Sequence, residues 1–327
     1  MTKFARQSTV SSARVGTFGR VPLGIGLVCI SALAAPPVMP PSKAVLKAVS
    51  PETTERINLA PDLYLRPIGD GAYVICHVFP WLCNSVLVEM ADGTLVMAGT
   101  PCTPQATQVV LAWSKRQLGE RKIIAINTGY HVDNLGGNQA LLDAGIPVYG
   151  SDLTVKLLKE RGEQARLTTL KLSAGPGSPS YSVYASMRFL PPDHVFPTQD
   201  GLKLSFGGED IRVFYPGPSQ APDKLVVYFP ARRLLFGSCM ILAGNTPGNI
   251  AEADMKQWPE SVRKLEQFPV DVVVPGHGER LDPALIQHTI DLLTNHERAE
   301  RTDGPANGSQ PIRSETNQTP SAAGSRR

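Results

Sequence analysis

The sequence predicts an α/β protein in which sheets are covered by helices. Three observations predict it. Short apolar or alternating runs of strand length recur through residues 73–274, and helical patterns separate them in both halves of the chain. Of the 327 residues, 42% are hydrophobic and 19% charged, enough apolar material for a sizeable core. Several strand-like runs also end directly in polar, glycine-bearing stretches that carry His, Asp or Cys. The 29 glycines and 29 prolines follow no short repeat, which excludes a coiled coil and a collagen-like chain.

Taken from the N-terminus, residues 1–34 read as a secretory signal peptide. A basic stretch ends at Arg20, residues 21–35 are uncharged, and Ala32-Leu33-Ala34 offers small residues for cleavage. The apolar run is short for a bilayer, which needs about 20 residues; an uncleaved anchor is the alternative. Cys29 follows Val28 rather than a small residue, so lipid attachment is not expected. A periplasmic or secreted protein follows, with no membrane span left after processing. Residues 35–54 form a Pro-rich linker, extended over the Pro-Pro-Val-Met-Pro-Pro stretch at 36–41. The folded domain covers 55–297, and the tail 298–327, poor in large apolar residues, is expected to be disordered.

The formal charge of +3 is an effect of the ends. The first 34 residues hold four basic groups and no acid, the tail five Arg and three acids, which leaves 35–297 at −3. No basic face is left for nucleic acid.

Within the domain, strands are expected at 73–76, 85–90 and 94–98, the last two joined through Asp92-Gly93, a two-residue hairpin turn. A helix follows at 104–116, with Val109, Val110, Leu111 and Trp113 on its apolar side. Residues 123–126 read as a buried strand, the helix holding Leu141 and Leu142 stops at Gly145, and 147–150 and 152–161 give a strand and a helix. Residues 163–190 carry no clear period and read as an insertion or substrate-side loop. Strands return at 202–206, 211–215, 225–229 and 234–236, followed by a helix at 253–267, a strand at 270–274 and a helix at 283–295.

Three of these strands run into chemistry. Residues 123–126 lead to Tyr130-His131-Val132-Asp133; in an extended stretch His131 and Asp133 point the same way. Gly136 and Gly137 then permit close backbone approach. Residues 234–236 lead to Cys239, and 270–274 to His277 between two glycines. Singly each has a plain reading: a surface histidine, a small buried thiol, an aspartate capping the next helix. Together Asp133, Cys239 and His277 make a three-ligand zinc set with a fourth position for water or substrate.

Ile126-Asn127-Thr128-Gly129-Tyr130-His131-Val132-Asp133, Gly217-Pro218-Ser219-Gln220-Ala221-Pro222-Asp223, Gly237-Ser238-Cys239 and Gly276-His277 stand in the order of the metallo-β-lactamases. Asn84-Ser85 and Gly248-Asn249 fit the same order, and the sequence resembles that family over most of 55–295. The resemblance implies a single-domain αββα sandwich with the metal at one sheet edge.

Departures from the family pattern are informative. His-x-His-x-Asp-His reads Gly129-Tyr130-His131-Val132-Asp133-Asn134, and the histidine of Gly-Pro-x-His is Gln220, so two histidines of the first zinc site are missing. The second site, Asp133–Cys239–His277, is complete. In this, and in having Gly99 behind the metal loop, the chain resembles the single-zinc, carbapenem-selective subclass, which implies one Zn2+ and a β-lactam substrate. By that resemblance His131 or Asp133 serves the attacking water, Gln220 holds it, and Asn249 donates to the substrate carbonyl. The family's carboxylate-binding lysine is here Leu242, and residues 239–249 contain no Lys or Arg, which predicts weak or narrow activity. Lys224, Arg232 and Arg233 are the substitutes in reach of the sequence. Hydrolysis of another amide, lactone or thioester stands as an alternative, as does a non-catalytic zinc- or ligand-binding relative. A monomer is expected.

A two-residue turn at Asp92-Gly93 makes paired positions sum to 185, which sets Cys83 opposite Cys102. A disulfide there is compatible with an oxidising compartment; two free thiols are the alternative.

Overall fold

The structure is a computed structural model that describes residues 55–302 other than 174. The expected signal peptide and linker, and the tail from 303 onward, lie outside the described residues.

Among the described residues two sheets form. The first holds, in chain order, β1 (Ile57–Ala60), β2 (Leu63–Gly69), β3 (Ala72–Val78), β4 (Leu82–Glu89), β5 (Leu95–Ala98), β6 (Ile123–Ile126), β7 (Val148–Ser151) and β8 (His194–Phe196). Its first five strands pair antiparallel and the later ones parallel, each parallel addition following a helical crossover. The second sheet has the order β13 (Val272–Pro275), β12 (Leu234–Ser238), β11 (Val226–Phe229), β10 (Glu209–Phe214) and β9 (Leu202–Phe206).

Strand alternation explains the layering. Val86 and Val88 of β4 turn to the other sheet and pack with Phe229, Phe236 and Val274. Leu87, between them, turns outward with Leu95 and Met97 onto Val110 and Trp113 of α1 (Pro104–Leu118). On the far side Tyr228, Leu235 and Val273 meet Trp258, Val262, Ile290 and Leu293 from α6 (Trp258–Arg263) and α7 (Leu285–Thr302). Helix, sheet, sheet, helix is the αββα sandwich. Thr103 caps α1 by accepting from Ala106 N, Pro104 opens it, and Gly119 at φ 83° ends it.

Several expectations are corrected. β1, β2 and β8 were not predicted: β1 and β8 are only four and three residues long, and the alternation of β2 is broken by the buried Arg66 and by Pro67. The helix expected at 152–161 is α4 (Asp152–Leu172), 21 residues running through Gly162. Most of the stretch read as a loop at 163–190 is therefore helix, completed by α5 (Pro179–Ser186). The helix expected at 253–267 shrinks to α6, because Pro259 fits only a first turn, followed by a 3-10 turn at Lys264–Gln267. α7 runs on to Thr302, past the expected boundary at 297.

The β4–β5 turn has three residues, with Met90 N bonded to Thr94 O and Gly93 at φ 84°. Paired positions therefore run Val86↔Ala98 to Glu89↔Leu95, one residue off the expected register. The ladder ends at Ala98, and Cys83 pairs with His77 of β3 instead. Cys83 and Cys102 are free thiols.

Candidate metal centre

The strand ends are built to converge. Beyond β6, Asn127 donates to Asn138 Oδ1 at 2.8 Å and to Asn134 O at 3.2 Å, closing the loop on itself. His131 is extended, and Asp133 falls in the first turn of α2 (Val132–Leu135), which α3 (Asn138–Asp143) follows. The two are thus not on one face of an extended run, and Asp133 is not the cap. A Cβ on Gly136 would stand 2.2 Å from Cys102 O, so only glycine lets this turn lie against the chain beside β5. At the end of β12, Ser238 takes a left-handed φ of 51°, a strained conformation that sets Cys239 at the sheet edge. Gly276 N bonds Ser238 O at 2.7 Å. Asn84 of β4 donates to Pro275 O and Gly278 O, at 3.1 and 2.7 Å, and so clamps both flanks of His277.

Three of the predicted donors meet. Cys239 Sγ lies 2.9 Å from Asp133 Oδ2, and His277 Nε2 lies 3.2 Å from the same oxygen. His277 Nδ1 donates to Leu82 O at 2.8 Å, which leaves Nε2 as the ligand nitrogen. Asn134, given no role in the sequence reading, donates from its amide to Asp133 Oδ1 at 2.6 Å and to Cys239 Sγ at 3.6 Å. Its Oδ1 accepts from Thr128 and Ser238, both at 2.7 Å. One amide therefore sets two donors. Cys83 was read only as half of a disulfide, yet its thiol lies within 4.8 Å of the Asp133 and His277 donors.

Burial opposes charge on Asp133, but the His277 bond and the positive charges of Lys224, His277 and His131 hold its carboxyl well below the usual range. Burial likewise opposes the His277 cation, and the Cys239 charge and the bond to Asp133 outweigh it, pushing the imidazole up. A cation is thus stabilised among these donors. Thiolate, carboxylate and imidazole fit zinc.

The neighbouring half is different. Gly129 and Gln220 bring no zinc-type donor, and His131 turns away to a partner the sequence did not mark: its Nε2 bonds Glu252 Oε2 at 2.6 Å. The Tyr130 hydroxyl donates to that oxygen, and Arg161 stands 3.6 Å from Oε1. The bonds from His131 overcome burial and bring the Glu252 carboxyl down to about 2. Gln220 donates to Asn249 O at 3.2 Å, while its own Oε1 is buried without a partner. A cavity of about 550 Å³ opens here, lined by Trp81, His131, Asp133, Gln220, Asn249 and Glu252, with Ala165, Thr168 and Leu172 of α4 forming one wall.

A smaller adjoining cavity of about 300 Å³ has Cys239, Ile241, Leu242, Ala243 and Pro247 on its walls. No Lys or Arg lines either cavity. Arg232 is buried against Glu209 and Arg233 pairs with Asp271, so neither replaces a lysine at 242. Lys224 is fully buried.

The family model described as the metallo-beta-lactamase superfamily matches residues 78–277. The metallo-beta-lactamase type 2 of Bacteroides fragilis is 25% identical, over 77% of this chain and 94% of its own length. That of Pseudomonas aeruginosa is 28% identical, over 76% and 91%. Among solved structures, a metallo-beta-lactamase from Pontibacter korlensis aligns at a TM-score of 0.55 and 27% identity, covering 74% of this chain and all of that one.

Proposed function

The chain belongs to the metallo-β-lactamase superfamily, and on that premise we propose that it is a zinc-dependent hydrolase opening the amide of β-lactams, carbapenems foremost, with a single zinc at Asp133, Cys239 and His277. The observation that carries this reading is the meeting of those three donors on one carboxylate, beside a half-site whose histidines are replaced. Relatives named as metallo-beta-lactamases at 25–28% identity support the substrate class.

Asp133, Cys239 and His277 would hold the ion, which would supply Lewis-acid stabilisation of negative charge on the substrate. The chain's own residues do the rest. Asp133 is a poor base: both oxygens are occupied, by Asn134, Cys239 and His277, and its carboxyl sits well below the ordinary range. His131 is the better one. Glu252 accepts from Nε2, which fixes the tautomer and leaves Nδ1 to take a proton from water. Gln220 Oε1, an orphaned acceptor, holds that water. Asn249 Oδ1 accepts from Ala251 N at 3.2 Å, leaving the amide NH2 to donate to the substrate carbonyl. Such a donor contributes about 3 kcal/mol in a hydrolase. The protein acts as a monomer, exported through residues 1–34.

Titrating the metal-free mature protein with zinc while following imipenem hydrolysis tests this. Activity rising to one equivalent and then falling supports the reading; no hydrolysis with one zinc tightly bound sinks it. High efficiency on many penicillins would overturn the narrow specificity. A second reading, hydrolysis of an uncharged amide, lactone or thioester, is favoured by the cation-free apolar walls around Leu242.

A further inference from the structure

Lys224 is the least expected charge in the molecule. It precedes β11, where Leu225 N bonds Thr128 O at 3.0 Å and ties this turn to the metal loop. Its side chain is fully buried, and Nζ has no hydrogen-bond partner. An ammonium stripped of water and left unbonded is strongly disfavoured unless nearby charges hold it.

Here they do. Cys239, Asp133, Asp223 and Glu252 all act on Lys224, and their summed field outweighs burial, so the lysine stays charged. Asp223, also fully buried, is anchored by Thr154 Oγ1 at 2.9 Å and keeps Oδ1 unbonded.

Where this cation sits matters most. A Cβ on Gly129 would stand 3.1 Å from Lys224 Nζ, 3.2 Å from its Cδ and 3.3 Å from Asp223 Oδ1. A side chain at 129 would press on the ammonium, which would have to shift by a few tenths of an ångström to admit even its Cβ. Position 129 is also where the family's motif carries a histidine of the first zinc site. The glycine and the buried lysine are therefore two parts of one arrangement.

We propose that the Lys224 ammonium is an internal cation that takes the place of a second metal ion, balancing the anionic Asp133–Cys239–Asp223–Glu252 cluster and limiting the centre to one zinc. The proposal rests on the single-zinc reading above and adds the residue that enforces it. Lys224 is a positioning residue, since its buried Nζ reaches no solvent-facing cavity.

Zinc counting tests it without recourse to activity. Native mass spectrometry and competition with a chromophoric chelator would be applied to the native protein, Lys224→Met, Gly129→His/Gln220→His, and the triple variant. The native chain should hold one ion even in millimolar zinc. Lys224→Met should bind its one zinc about tenfold tighter or more, a change of about 1.4 kcal/mol, because a like charge has gone. The histidine pair should still hold one ion, and only the triple variant two.

A second ion in the native chain or in the histidine pair overturns the proposal, as does an unchanged affinity in folded Lys224→Met. Lys224→Arg, which keeps the charge, should stay close to native affinity and controls for packing. A native protein that binds no zinc sinks the single-zinc reading and this proposal together. One bound zinc with variants indifferent to Lys224 sinks the proposal alone.

Discussion

Asp133 and His131 lie two residues apart on one loop, yet they belong to opposite electrostatic settings. Asp133 sits among a thiol, an imidazole and an amide, a cluster stabilised by positive charge. His131 is held by a carboxylate that also takes the Tyr130 hydroxyl and faces Arg161. The helical turn starting at Val132 separates them by rotating Asp133 toward β12 and β13. What the contrast teaches is that the loop stays ordered although Gly129 and Gln220 offer no zinc-type donor. That half keeps its own partners, a salt-bridged histidine and an internal lysine, while Asp133, Cys239 and His277 stay together.

The sharpest way to break the contrast is to remove a donor from the intact half. Cys239→Ser should weaken zinc binding by on the order of a hundredfold or more, since about 10–16 kcal/mol of apparent affinity is spread over four ligands. Cys83→Ser should change it only a few-fold, because that thiol donates to Trp81 O at 3.7 Å and burial holds it in the neutral form. Chelator competition on the two variants checks the pair; equal losses would make Cys83 a ligand and close the centre.

Asn134 comes next. Asn134→Ala leaves all three donors present but removes the amide that fixes Asp133 and Cys239. Zinc affinity should fall about 10- to 100-fold, as for other supporting residues around metals. Affinity unchanged by the substitution would mean that Ser238 and Gly276 alone position the thiolate.

A smaller gain is expected from Leu242→Lys. Leu242 lines the apolar cavity beside Cys239, and a charge-assisted bond to a substrate carboxylate contributes about 1.5–3 kcal/mol. KM for imipenem should drop by one to two decades with kcat little changed. A KM that does not move would place the substrate carboxylate elsewhere and favour the uncharged-substrate reading.

The legibility of this molecule in its sequence follows the range of its interactions. Asp133, Cys239 and His277 could be read because each closes a strand and sits beside glycines, a local pattern. Glu252 could not: its bonds reach back 121 and 122 residues, and nothing around Ala251-Glu252-Ala253 marks it. Lys224 reads from the sequence as a candidate substitute for the carboxylate-binding lysine, because a buried, unbonded lysine has no sequence signature. In the fold, the strand runs of β4 and β5 and the apolar side of α1 were plain. β2 hid behind Arg66, which the fold buries and lets donate to Glu279 O at 2.9 Å. Gly162 looked like a helix end, yet α4 runs through it as one wall of the cavity. The Asp92-Gly93 turn is legible but its third residue is not, and that residue shifts the β4–β5 register by one position.

The smallest expected effect tests the His131 half by pH. Glu252 has a folded pKa of about 2 against an ordinary 4.5, so folding favours its ionised form. Its contribution to stability is therefore complete above the unfolded value of 4.5 and is lost as pH falls toward 2. With the side chain 29% exposed, solvent screening reduces the contribution to about 1–2 kcal/mol. Urea unfolding of the metal-free protein keeps zinc release out of the measurement. Glu252→Gln should be less stable than the native chain by that amount at pH 7, and the gap should close between pH 4.5 and about 2. Since an amide at 252 can donate as well as accept, the tautomer of His131 is no longer fixed, and kcat of the zinc form should fall about tenfold with KM unchanged. A gap that persists at low pH would assign Glu252 to loop packing. A gap that closes while kcat stays native would leave the dyad structural and return the base to Asp133.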